Sequence, residues 1–282
     1  MKTIQLGHIN VSKIVEWNGP LDLSFLFPNL DPGVLAPHHS WLSPHYFDVE
    51  STQMLFSIHT FVVKTQHHTI LVDTCLGKDK PCFYKPWNML STPYLQDLSA
   101  LGIQPEDVDF VMCTHLHMDH VGWNTRLIDG RWVPTFPNAK YIFARKEWEH
   151  WSQKESEVQK ISVLPIIESG QALLVETNHI LDDEVRLEPT PGHTPGHVSV
   201  HLSSSGQEAL ITGDMIHHPL QCAIPDVTSM ACDSQEQAIA TRRDFLQKYA
   251  GSDVLILGTH FAGSSAGLIH PEGETWRFAA KP

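Results

Sequence analysis

The chain has 282 residues, 41% of them hydrophobic, and carries a formal net charge of −13 from 32 Asp and Glu against 19 Lys and Arg. That balance argues against a phosphate-rich partner, because nucleic-acid binding needs clustered cations to displace counterions, and the densest basic piece is only Thr241-Arg242-Arg243. No apolar run approaches the roughly 20 residues that span a bilayer. The first residues lack the pattern of a secretory leader. Five cysteines, odd in number and without paired finger spacing, suit reduced thiols. The expectation is a cytoplasmic protein without nucleic-acid or membrane partners, folded as one domain over residues 1–282.

In chain order, residues 17–48 come first, with Pro20, Pro28, Pro32, Gly33, Pro37 and Pro44 interleaved with Phe25, Phe27, Trp41 and Phe47. This punctuation predicts an irregular arm wrapped on the surface, with apolar tips available to a substrate pocket. Short apolar runs then predict strands at 54–63, 69–72, 108–113, 140–143, 184–188, 198–202, 208–212 and 253–257. Helices are predicted at 93–101 (Thr92 as cap, Pro93 in first position), at 144–151, and at 234–249 behind Ser234. The alternation implies a layered α/β architecture.

Four of these strands each deliver a ligand-type side chain just past their ends: Asp73, His115, Asp214 and His260. Loops carried by a rigid sheet are where chemistry concentrates. The densest motif is His115-Leu116-His117-Met118-Asp119-His120. In extended backbone, His115 and His117 share a side and can grip one ion, and a turn at Asp119 swings Asp119 and His120 toward a second. Four such groups within six positions gain little from a core, where they cost desolvation unless paired. In the loop 190–197, with His193 and His197 both following Gly, His193 is the expected ligand and His197 its structural neighbour. Asp214, with two oxygens, is the natural bridge. This gives His115, His117, His193 and Asp214 around one ion, and Asp119, His120, Asp214 and His260 around the other, donors of the kind zinc accepts.

These motifs resemble the metallo-β-lactamase superfamily: its His-x-His-x-Asp-His loop at 115–120, its Gly-His at 192–193, its Gly-Asp at 213–214, and its late His at 260. The resemblance implies a four-layered αββα sandwich, with Asp73 supporting the metal loop rather than binding metal. It also implies two divalent ions per chain, zinc in the first place, with manganese, cobalt or iron as alternatives. Two such ions hold a bridging hydroxide at neutral pH and polarise a carbonyl or phosphoryl oxygen, with Asp119 relaying the proton to the leaving group.

Within that superfamily the chain looks like the quorum-quenching lactonase and methyl parathion hydrolase branch. The expected substrates are small hydrophobic lactones and aryl esters, with organophosphate triesters as secondary substrates, and relatives in this branch are often homodimers. Typical lactonases of the branch place a Tyr shortly after the bridging Asp; here the run is Asp214-Met215-Ile216-His217-His218. His218 is the expected replacement donor, and His217 joins Phe83, Trp87, Trp123 and Phe261 as candidate pocket lining. The competing readings are a mononuclear iron dioxygenase acting on a small sulfur compound, a phosphotriesterase as the main activity, and a non-catalytic metal-stabilised binding module.

Overall fold

A computed structural model describes residues 3–281. The chain groups into two compact units. One comprises Trp17–Ser57 and the described residues from Ile180 onward; the other comprises the described residues before Trp17 and Ile58–His179. Among the described residues no helix is long and apolar enough to cross a membrane.

An eight-stranded sheet runs in the order Ile4–Leu6, Ile9–Asp22, Gln53–Lys64, Thr69–Val72, Phe110–Met112, Lys140–Ala144 and Ala172–Val175, with Phe47–Asp48 paired beside Gln53–Lys64. The last four strands of that path are parallel, with Ile70 opposite Phe110 and Val111 opposite Tyr141. Parallel strands are covered on both faces, which is why their sequences read as continuous apolar runs: Ile70, Leu71, Val72, Val111 and Met112 are all buried. The second sheet has six strands, in the order Val185–Pro189, Val198–Ser204, Gln207–Ile211, Leu255–Leu257, Ala266–Glu272 and Thr275–Ala280. Its one parallel pair is Gln207–Ile211 with Leu255–Leu257. Asp214 and His260 therefore follow neighbouring strand ends.

Helix Tyr94–Ala100 begins at Pro93 rather than at a Thr92 cap, because the Thr92 hydroxyl is committed to Glu16 Oε1 at 2.9 Å. Helix Arg145–Trp151 follows the strand Lys140–Ala144 directly. Helix Gln235–Tyr249 starts where the Ser234 hydroxyl accepts from Gln237 N at 3.3 Å. The segment expected to be irregular instead continues a strand through Asp22 and then forms short helical turns at Leu23–Leu26, Pro32–His38 and His39–Leu42. Pro20 sits in that strand beyond Val11, where its pairing with Ile4–Leu6 ends, so its missing N–H breaks no bond to that neighbour.

Candidate metal centre

Within the unit containing 58–179, the six-residue loop hangs from strand Phe110–Met112 and is fixed by a carboxylate beneath it. Asp73 follows Val72 at φ 57°, a left-handed conformation uncommon for a residue with a side chain. There its Oδ1 accepts from Thr114 N at 2.8 Å, while Oδ2 accepts from the Thr114 hydroxyl at 2.9 Å and lies 2.9 Å from His120 Nδ1. With Nδ1 thus held, His120 turns Nε2 toward Asp119, whose Oδ1 is 3.6 Å away. His115 and His120 are buried with ring centres 4.0 Å apart, and His115 Nε2 lies 3.0 Å from His117 Nδ1.

Two residues with no signature in the sequence clamp the backbone between the paired imidazoles. Glu147 Oε1 accepts from Leu116 N at 3.2 Å and from Trp151 Nε1 at 2.7 Å; Gln159 Nε2 donates to Leu116 O at 3.3 Å. Trp151 meets the His117 ring edge-on at 5.2 Å. The loop leaves through Gly122, whose N donates to Cys75 O at 2.7 Å; a Cβ there would lie 1.9 Å from the Leu76 carbonyl carbon. Buried Glu16 gathers Leu76 N, Gly77 N, the Thr92 hydroxyl and Trp123 Nε1. Burial raises its pKa, against the pull of these four donors.

In the other unit the donors come from three separate loops. Gly192 adopts φ +135°, and a Cβ on it would lie 2.4 Å from Ala238 N, so only glycine lets the first turn of helix Gln235–Tyr249 press against the loop that carries His193. His193 turns Nε2 to Asp214 Oδ2 at 3.4 Å and Nδ1 to Cys232 Sγ at 3.4 Å. Asp214 gives its other oxygen, Oδ1, to His260 Nε2 at 2.9 Å. His260 is held from behind by Ser57 O, 2.9 Å from Nδ1, and by Phe56, stacked at 4.3 Å. His197 does not share this arrangement: its Nδ1 meets the Thr190 hydroxyl at 2.8 Å and its Nε2 accepts from Asp214 N at 2.8 Å, so it positions the carboxylate.

Three expectations change. His218 cannot serve as a substrate donor, because Nε2 donates to Tyr46 O at 2.8 Å and Nδ1 accepts from Leu220 N at 3.1 Å; burial lowers its pKa to about 4. The imidazole beside Asp214 is His217, with Nε2 3.3 Å from Oδ2. Burial lowers the His217 pKa, opposed by the Asp214 charge. Trp123 and Phe261 are core rather than pocket lining: Trp123 is buried, stacked on Tyr94 at 5.0 Å and bonded to Glu16, and Phe261 is buried between Tyr46 and Phe278. Trp87 is buried against Tyr84, whereas Phe83 is 84% exposed.

Both clusters consist of imidazole nitrogens and carboxylate oxygens packed at or near hydrogen-bond distance, a donor set suited to zinc-like divalent ions. Known proteins resemble this chain in sequence and in fold. An N-acyl homoserine lactonase of Bacillus sp is 34% identical over 107 residues, 38% of either chain, and the N-acyl homoserine lactonase AttM of Azorhizobium caulinodans is 31% identical over 151 residues, 49% of this chain and 53% of the relative. The chain thus matches about two fifths to half of these relatives' length. The crystal structure of hydrolase AbOPH, in the beta lactamase superfamily, superposes with TM-score 0.81 at 24% identity over 99% of this chain and 97% of that one. AidC, a dizinc quorum-quenching lactonase in complex with an N-hexanoyl-L-homoserine product, gives 0.79 at 19% over 100% and 97%. The fold is therefore the metallo-β-lactamase fold, and since residues 54–259 match the pattern of the Metallo-beta-lactamase superfamily, the chain belongs to that superfamily.

Proposed function

We propose that the protein is a two-metal hydrolase that opens lactones and cleaves aryl esters, with His115, His117, Asp119 and His120 from one unit and His193, Asp214 and His260 from the other as its metal ligands. The observation that carries this reading is the Asp214 carboxylate, which turns Oδ1 to His260 and Oδ2 to His193. With an imidazole facing each of its oxygens, this carboxylate is placed as one shared by two cations would be. Similarity to homoserine lactonases supports the substrate class.

When bound, the two ions, zinc in the first instance, supply a water acidic enough to attack at neutral pH and polarise the substrate carbonyl. The chain's own residues do the rest. Asp119 accepts the proton given up by the attacking water and returns it to the leaving oxygen, which an alkoxide needs more than an aryloxide does. Asp73 and the Ser57 carbonyl hold the Nδ1 sides of His120 and His260, leaving Nε2 in each case for the ion. Asp214 is kept in register by the His197 imidazole behind its backbone.

Elemental analysis of the native chain, with a screen of lactones, aryl esters, phosphotriesters and β-lactams, tests the reading. The expected outcome is two ions per chain, measurable turnover of lactones and aryl esters, weaker phosphotriester cleavage and negligible β-lactam hydrolysis. A fully folded chain holding one iron and consuming dioxygen would overturn it in favour of the sulfur-compound dioxygenase.

A further inference from the structure

His217 stands apart from the other histidines near Asp214. It is 2% exposed; Nδ1 has no hydrogen-bond partner, and Nε2 has only the Asp214 carboxylate beside it. A buried polar group left in that state costs about 1–3 kcal/mol, so the position calls for something that uses the nitrogen. Its backbone is firmly held: Gln221 Oε1 accepts from His217 N at 2.7 Å and from His218 N at 3.3 Å, while Gln221 Nε2 donates to Val227 O. The ring is therefore aimed by the loop.

What it is aimed at is the oxygen that His193 also faces. His217 Nε2 is 3.3 Å and His193 Nε2 3.4 Å from the same Asp214 Oδ2, and the ligand atoms of the three side chains all lie within 4.8 Å of one another. Two donors bound at about 2.0–2.1 Å to one zinc ion at the tetrahedral angle stand about 3.3–3.4 Å apart, the separation seen twice here. The two rings meet edge-on at 4.8 Å, so their nitrogens converge without the rings colliding.

We propose that His217 is itself a metal ligand, a further donor to the ion that His193 and Asp214 hold. The proposal rests on the two-metal reading above and adds a residue to it. It also accounts for the orphaned imidazole: coordination replaces the missing hydrogen bond, and a side chain expected to touch substrate binds the cation instead.

The test uses the full chain, loaded with zinc or cobalt, and reads the metal rather than turnover. Zinc dissociation constants would be measured by competition with a chromophoric chelator, and the cobalt-substituted absorption spectrum recorded, for wild type and His217→Ala. The expected result is that one of the two ions is held at least about tenfold more weakly, a loss in the range that even outer partners of ligands produce, that the other is unchanged, and that the cobalt bands shift. Thermal unfolding of the metal-free forms separates a packing effect. His217→Ala should match or exceed wild type without metal and lose part of the stabilisation that zinc adds. Both ions bound within twofold of wild type, with an unchanged cobalt spectrum and only lactone turnover reduced, would overturn the proposal and make His217 a substrate contact. A wild type that binds two ions but hydrolyses none of the substrates breaks the functional reading while the affinities still decide this one, and a wild type that binds no ion breaks both.

Discussion

The two donor clusters are built in opposite ways. His115, His117, Asp119 and His120 come from six consecutive residues, fixed by Asp73, Glu147 and Gln159, so one loop and its buried hydrogen bonds determine the geometry. His193, Asp214 with His217, and His260 come from three separate loops, with a different device setting each side chain: a glycine pressed on a helix, an imidazole behind a backbone N–H, a glutamine under the loop, and a stacked phenylalanine. A contiguous cluster concentrates its vulnerability in a few supporting groups. A dispersed one spreads it over several small supports, and only the shared carboxylate is irreplaceable.

The largest effect should come from that carboxylate. Asp214→Ala removes the oxygen facing each of His193 and His260, and should abolish hydrolysis and release at least one ion by elemental analysis; full activity would erase the distinction between a bridge and an ordinary ligand. Next comes the support of the contiguous cluster. Asp73→Ala strands Thr114 N and His120 Nδ1 in a buried site, at about 1–3 kcal/mol for each donor, and should lower metal affinity about 10–100-fold. Chelator titration combined with thermal unfolding reads both.

The dispersed cluster should respond more locally. Gly192→Ala introduces a Cβ 2.4 Å from helix backbone at a φ unfavourable for alanine, which should cost about 2–4 kcal/mol of stability and weaken the ion at His193, leaving cobalt bands from the other ion in place. His197→Ala removes one hydrogen bond to Asp214 N and should cost about 1–2 kcal/mol, far less metal affinity than His193→Ala; the reverse ranking would exchange the roles given to these two histidines. The smallest effect belongs to Arg243→Ala, whose pair with Asp226 is solvent-exposed and contributes no more than about 1 kcal/mol, a reference for loss of charge away from both clusters.

The same contrast explains what could be read from the amino-acid chain alone. The parallel strands are legible because burial on both faces leaves continuous apolar runs ending at ligand-type residues, as at Ile70-Leu71-Val72-Asp73. The contiguous motif is legible because its chemistry is local. Glu147 and Gln159 are not, since a glutamate in a short helix and a glutamine in a helical turn announce nothing about a backbone N–H and carbonyl some 30 to 40 residues earlier. His217 and His218 are adjacent and chemically identical, and only the capture of His218 by Tyr46 O and Leu220 N separates them. Strand Ile9–Asp22 was hidden by Gly19 and Pro20, which signal a turn locally but are tolerated where pairing to the first strand has already ended.

One contact within the supporting layer bears on how such a protein can be altered over generations. At Gly77 and Gly122 two backbones touch: a methyl on Gly77 would meet the Gly122 carbonyl at 2.6 Å, and one on Gly122 would enter Leu76. Neither can be offset by shrinking a neighbour, because the neighbour is main chain and already as small as chemistry permits. Both positions are therefore closed to stepwise change, whatever happens to the residues that face substrate. A library built to redirect specificity gains by diversifying the exposed stretch around Phe83, where side chains meet solvent, and by leaving these two positions untouched.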